Sequence, residues 1–208
     1  MKSQEAYDAI REIIIKADPN EGVPYSENYF AETLGMSRTP IRSALQQLQY
    51  DGLISIIPHQ GIVIRSISYE EAWQLFDFRG LVEKYLFERS VDRLTDEDLD
   101  VLDQMVDEQE KMLAKGDYAS YMDNDTEFHF FIYRHYDNPP MKKVVRNYKD
   151  RLYRSRLRAI SQAGRAEKSM KEHRQIVEFL RTGEKDEVFK VLTKHMSTLE
   201  GVFKKGSF

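Results

Sequence analysis

Four side chains in the C-terminal two-thirds of this chain combine residue type and spacing in a way that can bind a cation. Met122, Asp125, His129 and Ile132 follow one another at steps of three or four, which puts an aspartate and a histidine one turn apart on the inward stripe of a helix. A second stripe runs Met170, His173, Ile176 or Val177, Leu180, and a third runs Val188, Val191 or Leu192, His195, Leu199, Val202. A lone histidine on an apolar face is ordinarily a core residue with a local hydrogen bond. Three of them with an aspartate are a different case. Burying unpaired polar groups costs about 1–3 kcal/mol each, and one divalent cation satisfies all of them at once. Three nitrogens and one oxygen without sulfur suit Zn²⁺, Ni²⁺, Mn²⁺ or Fe²⁺ and do not choose among them.

A second chemistry lies near the N-terminus. From Ser37 to Gly52 the apolar residues Ile41, Ala44, Leu45 and Leu48 form a helical stripe. Ser37 can cap that helix, Pro40 sits where a missing N–H costs nothing, and Gly52 suits its stop. Arg38, Thr39 and Arg42 then occupy the polar face of the first turns, where a recognition helix carries the groups it sends into a major groove. Ser26 to Leu34 reads as a shorter helix with Phe30, Ala31 and Leu34 inward, ended by Gly35. After Gly52 come two β-rich runs separated by Pro58, His59, Gln60 and Gly61, a small hairpin. This is a helix-turn-helix followed by a wing.

The run Leu34-Gly35-Met36-Ser37-Arg38-Thr39-Pro40-Ile41-Arg42-Ser43-Ala44-Leu45, with Leu48, Gly52-Leu53-Ile54 and Pro58-His59-Gln60-Gly61, resembles the winged helix-turn-helix head of GntR-family bacterial transcription regulators over about residues 5–66. The resemblance implies DNA contacts by Ser37, Arg38, Thr39 and Arg42, with Asn28, His59, Gln60 and Gly61 as secondary ones. For His59 an exposed hairpin residue without a role is an equal reading. Asp125-Thr-Glu-Phe128-His129, Glu172-His173-Arg-Gln-Ile176 and Lys194-His195-Met196 resemble the three metal-ligand segments of the FCD ligand-binding domain, which marks the FadR-like branch of that family. Carried over, Asp125, His129, His173 and His195 are the ligands of a divalent metal beneath an effector cavity, where a small carboxylate is bound. Arg79, in Arg79-Gly-Leu-Val-Glu83, matches a family arginine that can clamp an effector carboxylate. An internal salt bridge to a helix acid is the other reading. Of the cluster Arg151, Arg154, Arg156 and Arg158, one can add a cavity residue, and the pattern does not say which.

The elements that position these groups follow from the same patterns. A first helix from about Ser3 to Ala17 buries Ala6, Ile10, Ile13 and Ile14, and Asp18 to Pro24 is a turn-forming connector. Ser68 with Glu71 opens a long helix to about Arg93, with Leu75, Phe76, Val82, Tyr85 and Leu86 apolar, and Thr95 with Asp98 caps the next, which ends before Gly116. Helices follow from Asp117 to about Tyr136, Met141 to Ala163, Ala166 to Arg181 and Asp186 to Lys204. The expected fold is mostly α: a winged helix-turn-helix of three helices and a hairpin over 1–66, then an all-α bundle of about six helices over 67–208 for effector, metal and dimerisation.

Composition sets limits. The chain has 208 residues, enough for two modest cores, and no cysteine, which excludes disulfides, thiolate metal sites and cysteine nucleophiles. No apolar run approaches a membrane span, and the expected location is cytoplasmic. The formal net charge is −4, and acids slightly outnumber bases even in the first 66 residues, so the charge test for a nucleic-acid partner fails. The local pattern outweighs it, because both recognition-helix arginines share one end. The expected function is an effector-responsive transcription regulator, a repressor, that binds a short near-palindromic operator in double-stranded DNA as a homodimer and senses a small carboxylate at a metal. The alternative is a helical metalloenzyme using three histidines and one aspartate, with an accessory head, but no His-Glu-x-x-His is present and Glu127 is off the stripe. No catalytic residue is therefore expected.

Overall fold

A computed structural model describes residues 2–17 and 24–204, with residues 197–204 described by their backbone alone. Residues 18–23 of the connector expected over Asp18 to Pro24, and the inward side chains expected at Leu199 and Val202, lie outside the described ones. The chain divides into two compact units, Met1–Ser68 and Tyr69–Phe208.

In the first unit, α1 (Lys2–Lys16) packs on α3 (Arg38–Tyr50), and α2 (Glu27–Leu34) packs on both. The buried face of α1 is Ala6, Ile10, Ile14 and Ile15; Ile13, expected inward, is only half-buried. Phe30 is the residue α2 buries fully, while Ala31 and Leu34 are half-buried. Ser26 caps α2 by accepting from the Tyr29 N–H, and Gly35 ends it in the left-handed conformation that a β-carbon disfavours. Ser37 occupies the N-cap of α3 but makes no side-chain cap bond. Its extended backbone alone turns the chain into the helix. The hairpin pairs β1 (Ile54–Ile57) with β2 (Gly61–Ile64) antiparallel, Ile54 facing Ile64 and Ile57 facing Gly61.

The second unit is helical throughout its described residues: α4 (Tyr69–Ser90), a single 3-10 turn at Val91–Arg93, α5 (Asp96–Ala114), α6 (Tyr118–Tyr133), α7 (Pro139–Ile160), α8 (Arg165–Thr182) and α9 (Lys185–Lys204). The capping box of α5 forms: the Thr95 hydroxyl accepts from the Asp98 N–H and the Asp98 carboxylate accepts from the Thr95 N–H. Pro139 and Pro140 fall in the first turn of α7, behind an Asn138 cap on the Met141 N–H, so this helix starts two residues earlier than its apolar pattern implies. Helix α6 stops at Tyr133, short of the expected Tyr136. The buried face of α4 is Ala72, Phe76, Arg79, Glu83, Leu86 and Phe87, whereas Tyr85, expected inward, is exposed. Two charged residues therefore occupy core positions on that helix, and they neutralise each other. Helix α5 packs on both α6 and α8, α8 packs on α9, and α4 packs on α7 and α9.

Candidate functional site

Helix α6 turns Asp125 and His129 inward, α8 contributes His173 and α9 contributes His195, each at most 3 % exposed. One ligand atom from each lies within 4.8 Å of all the others. Four ligand atoms this close can share one ion after a modest contraction, and a metal that prefers six ligands would keep two positions open beyond these four.

The imidazole orientations are fixed from behind. His173 Nδ1 donates to Gln109 Oε1 at 2.9 Å, and Gln109 is held in turn by donating to Asn124. His195 Nδ1 donates to Glu172 Oε2 at 3.0 Å, and His129 Nδ1 lies 3.4 Å from the Tyr133 hydroxyl. Donation through Nδ1 leaves Nε2 as the lone-pair nitrogen. His129 Nε2 and His173 Nε2 are buried without a hydrogen-bond partner among the described residues. Burial holds both histidines well below the usual imidazole range and lowers His195 as well, so all three are neutral, the form that ligates. Burial pushes the Asp125 carboxyl up, but the groups around it, led by the Arg156 guanidinium that pairs with Oδ2 and including Lys149, together outweigh burial and keep the group ionised. An anionic oxygen and three oriented lone pairs fit a divalent cation, which would give the orphaned Nε2 atoms a partner.

A second buried cluster centres on Glu83. Its Oε1 accepts from Arg79 Nε at 2.8 Å and from the Tyr148 hydroxyl at 2.5 Å, and its Oε2 accepts from the Tyr133 hydroxyl at 2.5 Å. Lys149 Nζ lies 3.6 Å from the same oxygen. Burial lowers the Lys149 ammonium to about 8, against the pull of Glu83. Arg79 thus makes the internal salt bridge, yet its Nη1 keeps no hydrogen-bond partner among the described residues.

Several of these groups escape sequence reasoning. Tyr133 continues the α6 stripe at four residues past His129, a signal that is readable. Arg156 is one of four arginines, and it alone of them is fully buried, while Arg151 pairs with Glu71. Lys149 sits in a charge run that reads as a solvated face. Gln109 on α5 carries no signal.

In the first unit, Ser37, Arg38, Thr39 and Arg42 are all exposed at the leading end of α3. Arg42 is not loose: its Nε and Nη2 donate to the two carboxylate oxygens of Glu27 at 3.1 and 2.9 Å. That fork lowers the Glu27 carboxyl. Asn28 is exposed on α2 beside it. At the hairpin tip His59 and Gln60 lie between the paired strands and Gly61 opens β2, His59 being exposed with φ 63°, a conformation a non-glycine residue adopts at a cost. Gly61 has a structural reason of its own, because a β-carbon there would meet the Tyr25 carbonyl at 2.7 Å. Tyr25 and Ile62 exchange two backbone hydrogen bonds that draw this segment onto the hairpin.

No described helix is long and apolar enough to cross a membrane. Comparison with known proteins gives two family profiles, bacterial regulatory proteins of the gntR family over residues 2–64 and the FCD domain over 74–198. The uncharacterized HTH-type transcriptional regulator YdhC of Bacillus subtilis is 25% identical over 181 residues, covering 86% of this chain and 81% of that protein. The HTH-type transcriptional repressor RspR of Escherichia coli is 23% identical over 197 residues, covering 95% and 86%. The solved structure of E. coli McbR/YncC superposes with a TM-score of 0.84 at 18% identity, over 99% of this chain and 98% of that one, a likeness of fold.

Proposed function

The chain belongs to the GntR family of bacterial transcription regulators, with an FCD domain and no enzymatic role, and from that premise we propose that it is a homodimeric repressor whose operator binding responds to a small carboxylate held at a metal in the helical unit. The observation that carries this reading is the convergence of Asp125, His129, His173 and His195, with two imidazole nitrogens buried and unpartnered. In this reading those four residues hold a divalent transition metal of the Zn, Ni, Mn or Fe class, which supplies a Lewis-acid site for a carboxylate oxygen.

This chain's own residues do the rest. Gln109, Glu172 and Tyr133 keep the imidazoles in one tautomer and one orientation, and Arg156 keeps Asp125 ionised. Arg79 Nη1 offers a donor to the effector. In the first unit Arg38, Thr39 and Arg42 read base edges, and Asn28, His59 and Gln60 touch the flanking backbone or minor groove. A repressor role is supported by RspR, whose name states it. Dimer formation is supported by an apolar stripe on α4, Phe78, Leu81 and Tyr85, which stays exposed. Binding at the metal then alters helix positions with a coupling on the order of 1–3 kcal/mol to DNA binding.

The test is operator binding by the metal-loaded protein, with and without a panel of small carboxylic acids, repeated after chelation. A hit that changes both thermal stability and DNA affinity, and vanishes with the metal, is the expected result. A panel in which no acid acts in a metal-dependent way would overturn the effector half of the reading and leave the DNA-binding half.

A further inference from the structure

Among the described residues the buried charges of the bundle pair off as a whole, Arg79, Lys149, Arg156 and Arg165 against Glu83, Asp125, Asp150 and Glu172, but those acting on the two clusters carry a local surplus. Those that act most strongly on Lys149 and Asp125 are Glu83, Asp125, Arg79, Arg156 and Lys149 itself, three cations against two anions, all buried. Glu172 has a cation of its own in Arg165, 3.5 Å away, and the three histidines are neutral. A divalent metal on the four ligands raises the surplus from one positive charge to three. Uncompensated charge in a dry interior is expensive, and a ligand supplying one negative charge leaves most of the surplus in place.

The unpartnered donors also fall into two groups rather than one. Beside the imidazole Nε2 atoms there are Arg79 Nη1 and Lys149 Nζ, each buried and without a hydrogen-bond partner among the described residues. His129 Nδ1 lies 3.7 Å from Glu83 Oε2, and that oxygen lies 3.6 Å from Lys149 Nζ. The second group therefore begins within one small molecule's length of the first. Glu83 leaves it unsatisfied: its oxygens accept from Arg79, Tyr148 and Tyr133, and Lys149 Nζ stays beyond hydrogen-bond distance at 3.6 Å.

Resting on the proposed metal-carboxylate site, we infer that the effector is a dianion with two separated carboxylates, one at the metal and the other on Arg79 Nη1 and Lys149 Nζ. The second carboxylate satisfies both orphaned donors and removes a further unit of buried charge. Lys149 is then a specificity residue, choosing a diacid over the monoacid of equal length.

Matched pairs test this on the metal-loaded full chain by titration calorimetry: succinate against butyrate, and malate against 3-hydroxybutyrate, before and after chelation. The diacid of at least one pair is expected to bind about tenfold tighter or more, with that ratio shrinking towards one in Lys149→Met. Arg79→Gln serves as a second variant should Lys149→Met fail to fold. Equal, metal-dependent binding within both pairs would overturn the dianion inference and leave the metal-carboxylate reading standing. A wild-type preference that survives in the folded variants would also overturn it. Absence of metal-dependent binding by any of the four acids would overturn both.

Discussion

A neutral imidazole can present either nitrogen to a metal, and in this protein the choice is made by the residue behind each ring. Gln109 does so for His173 from α5, a helix that contributes no candidate ligand, so the ring is anchored to an element outside the proposed ligand set. Gln109→Leu keeps the volume and removes the acceptor. It is expected to lower metal affinity about 10–100-fold, measured by competition with a chromophoric chelator, while the apo fold survives. Unchanged affinity would mean that the ring is held by packing alone. Lys149 supports a separate prediction. The groups facing it are Glu83 and Arg79 on α4, Asp125 and His129 on α6 with the Phe130 ring, and Arg156 on its own helix. Its ammonium titrates near 8 in the fold, against 10.5 as its ordinary value. Between those values the unfolded chain binds the extra proton, so stability rises with pH there, by about 1 kcal/mol from pH 8 to 9. Denaturant midpoints across that interval should show the rise in the metal-free protein, and Lys149→Met should flatten it. A wild-type midpoint that falls over the same interval would contradict this assignment.

Helices that carry function here are started and stopped by short-range chemistry, and that chemistry is readable. Thr95 with Asp98, Ser26 before α2, Gly35 after it and the paired strands around Pro58 to Gly61 all form where the residue types place them. What cannot be read is the rotation of a helix whose core face carries charge. The apolar count of α4 favours Tyr85, yet the bundle buries Arg79 and Glu83, because two tyrosine hydroxyls from α6 and α7 complete the carboxylate's hydrogen bonds. No local pattern contains partners 50 and 65 residues away. The same limit explains why Lys149 and Arg156 look like surface charge, whereas Asp125, His129, His173 and His195 are legible: polar residues interrupting apolar stripes stand out, and polar residues among other polar residues do not. In α3, spacing gives the exposed arginines but not the fork from Glu27 on α2 to Arg42. That fork holds a side chain with about 2 kcal/mol of rotamer entropy in one geometry before DNA arrives. Glu27→Gln is expected to raise affinity for random DNA, by removing a negative charge near phosphates, and to lower the ratio of operator to random binding. Competition binding at two salt concentrations reads both, and a ratio that stays constant would reduce the fork to a surface ion pair worth under about 1 kcal/mol.

The whole molecule has to hold an operator with a weakly charged head. With acids slightly outnumbering bases in its first 66 residues, one head gains little from counterion release. In the proposed dimer useful affinity comes from two heads acting together, the second binding at the high effective concentration that a shared body would provide. A twofold body needs a self-complementary face, and α4 offers Phe78, Leu81 and Tyr85 at steps of three and four, with Leu81 70% exposed. Leu81 is exposed and belongs to neither buried cluster, so Leu81→Glu separates assembly from sensing. Two glutamates opposed across a twofold axis repel and lose the apolar burial. The variant is expected to sediment as a monomer of 24.5 kDa. It should bind operator at least about 100-fold more weakly, as avidity arithmetic requires. A single half-site should bind wild type and variant alike, because the contacts of one head are untouched. Metal uptake should also be unchanged. A variant that remains a dimer would move the interface to another face, and a monomer with undiminished operator affinity would show that one head suffices.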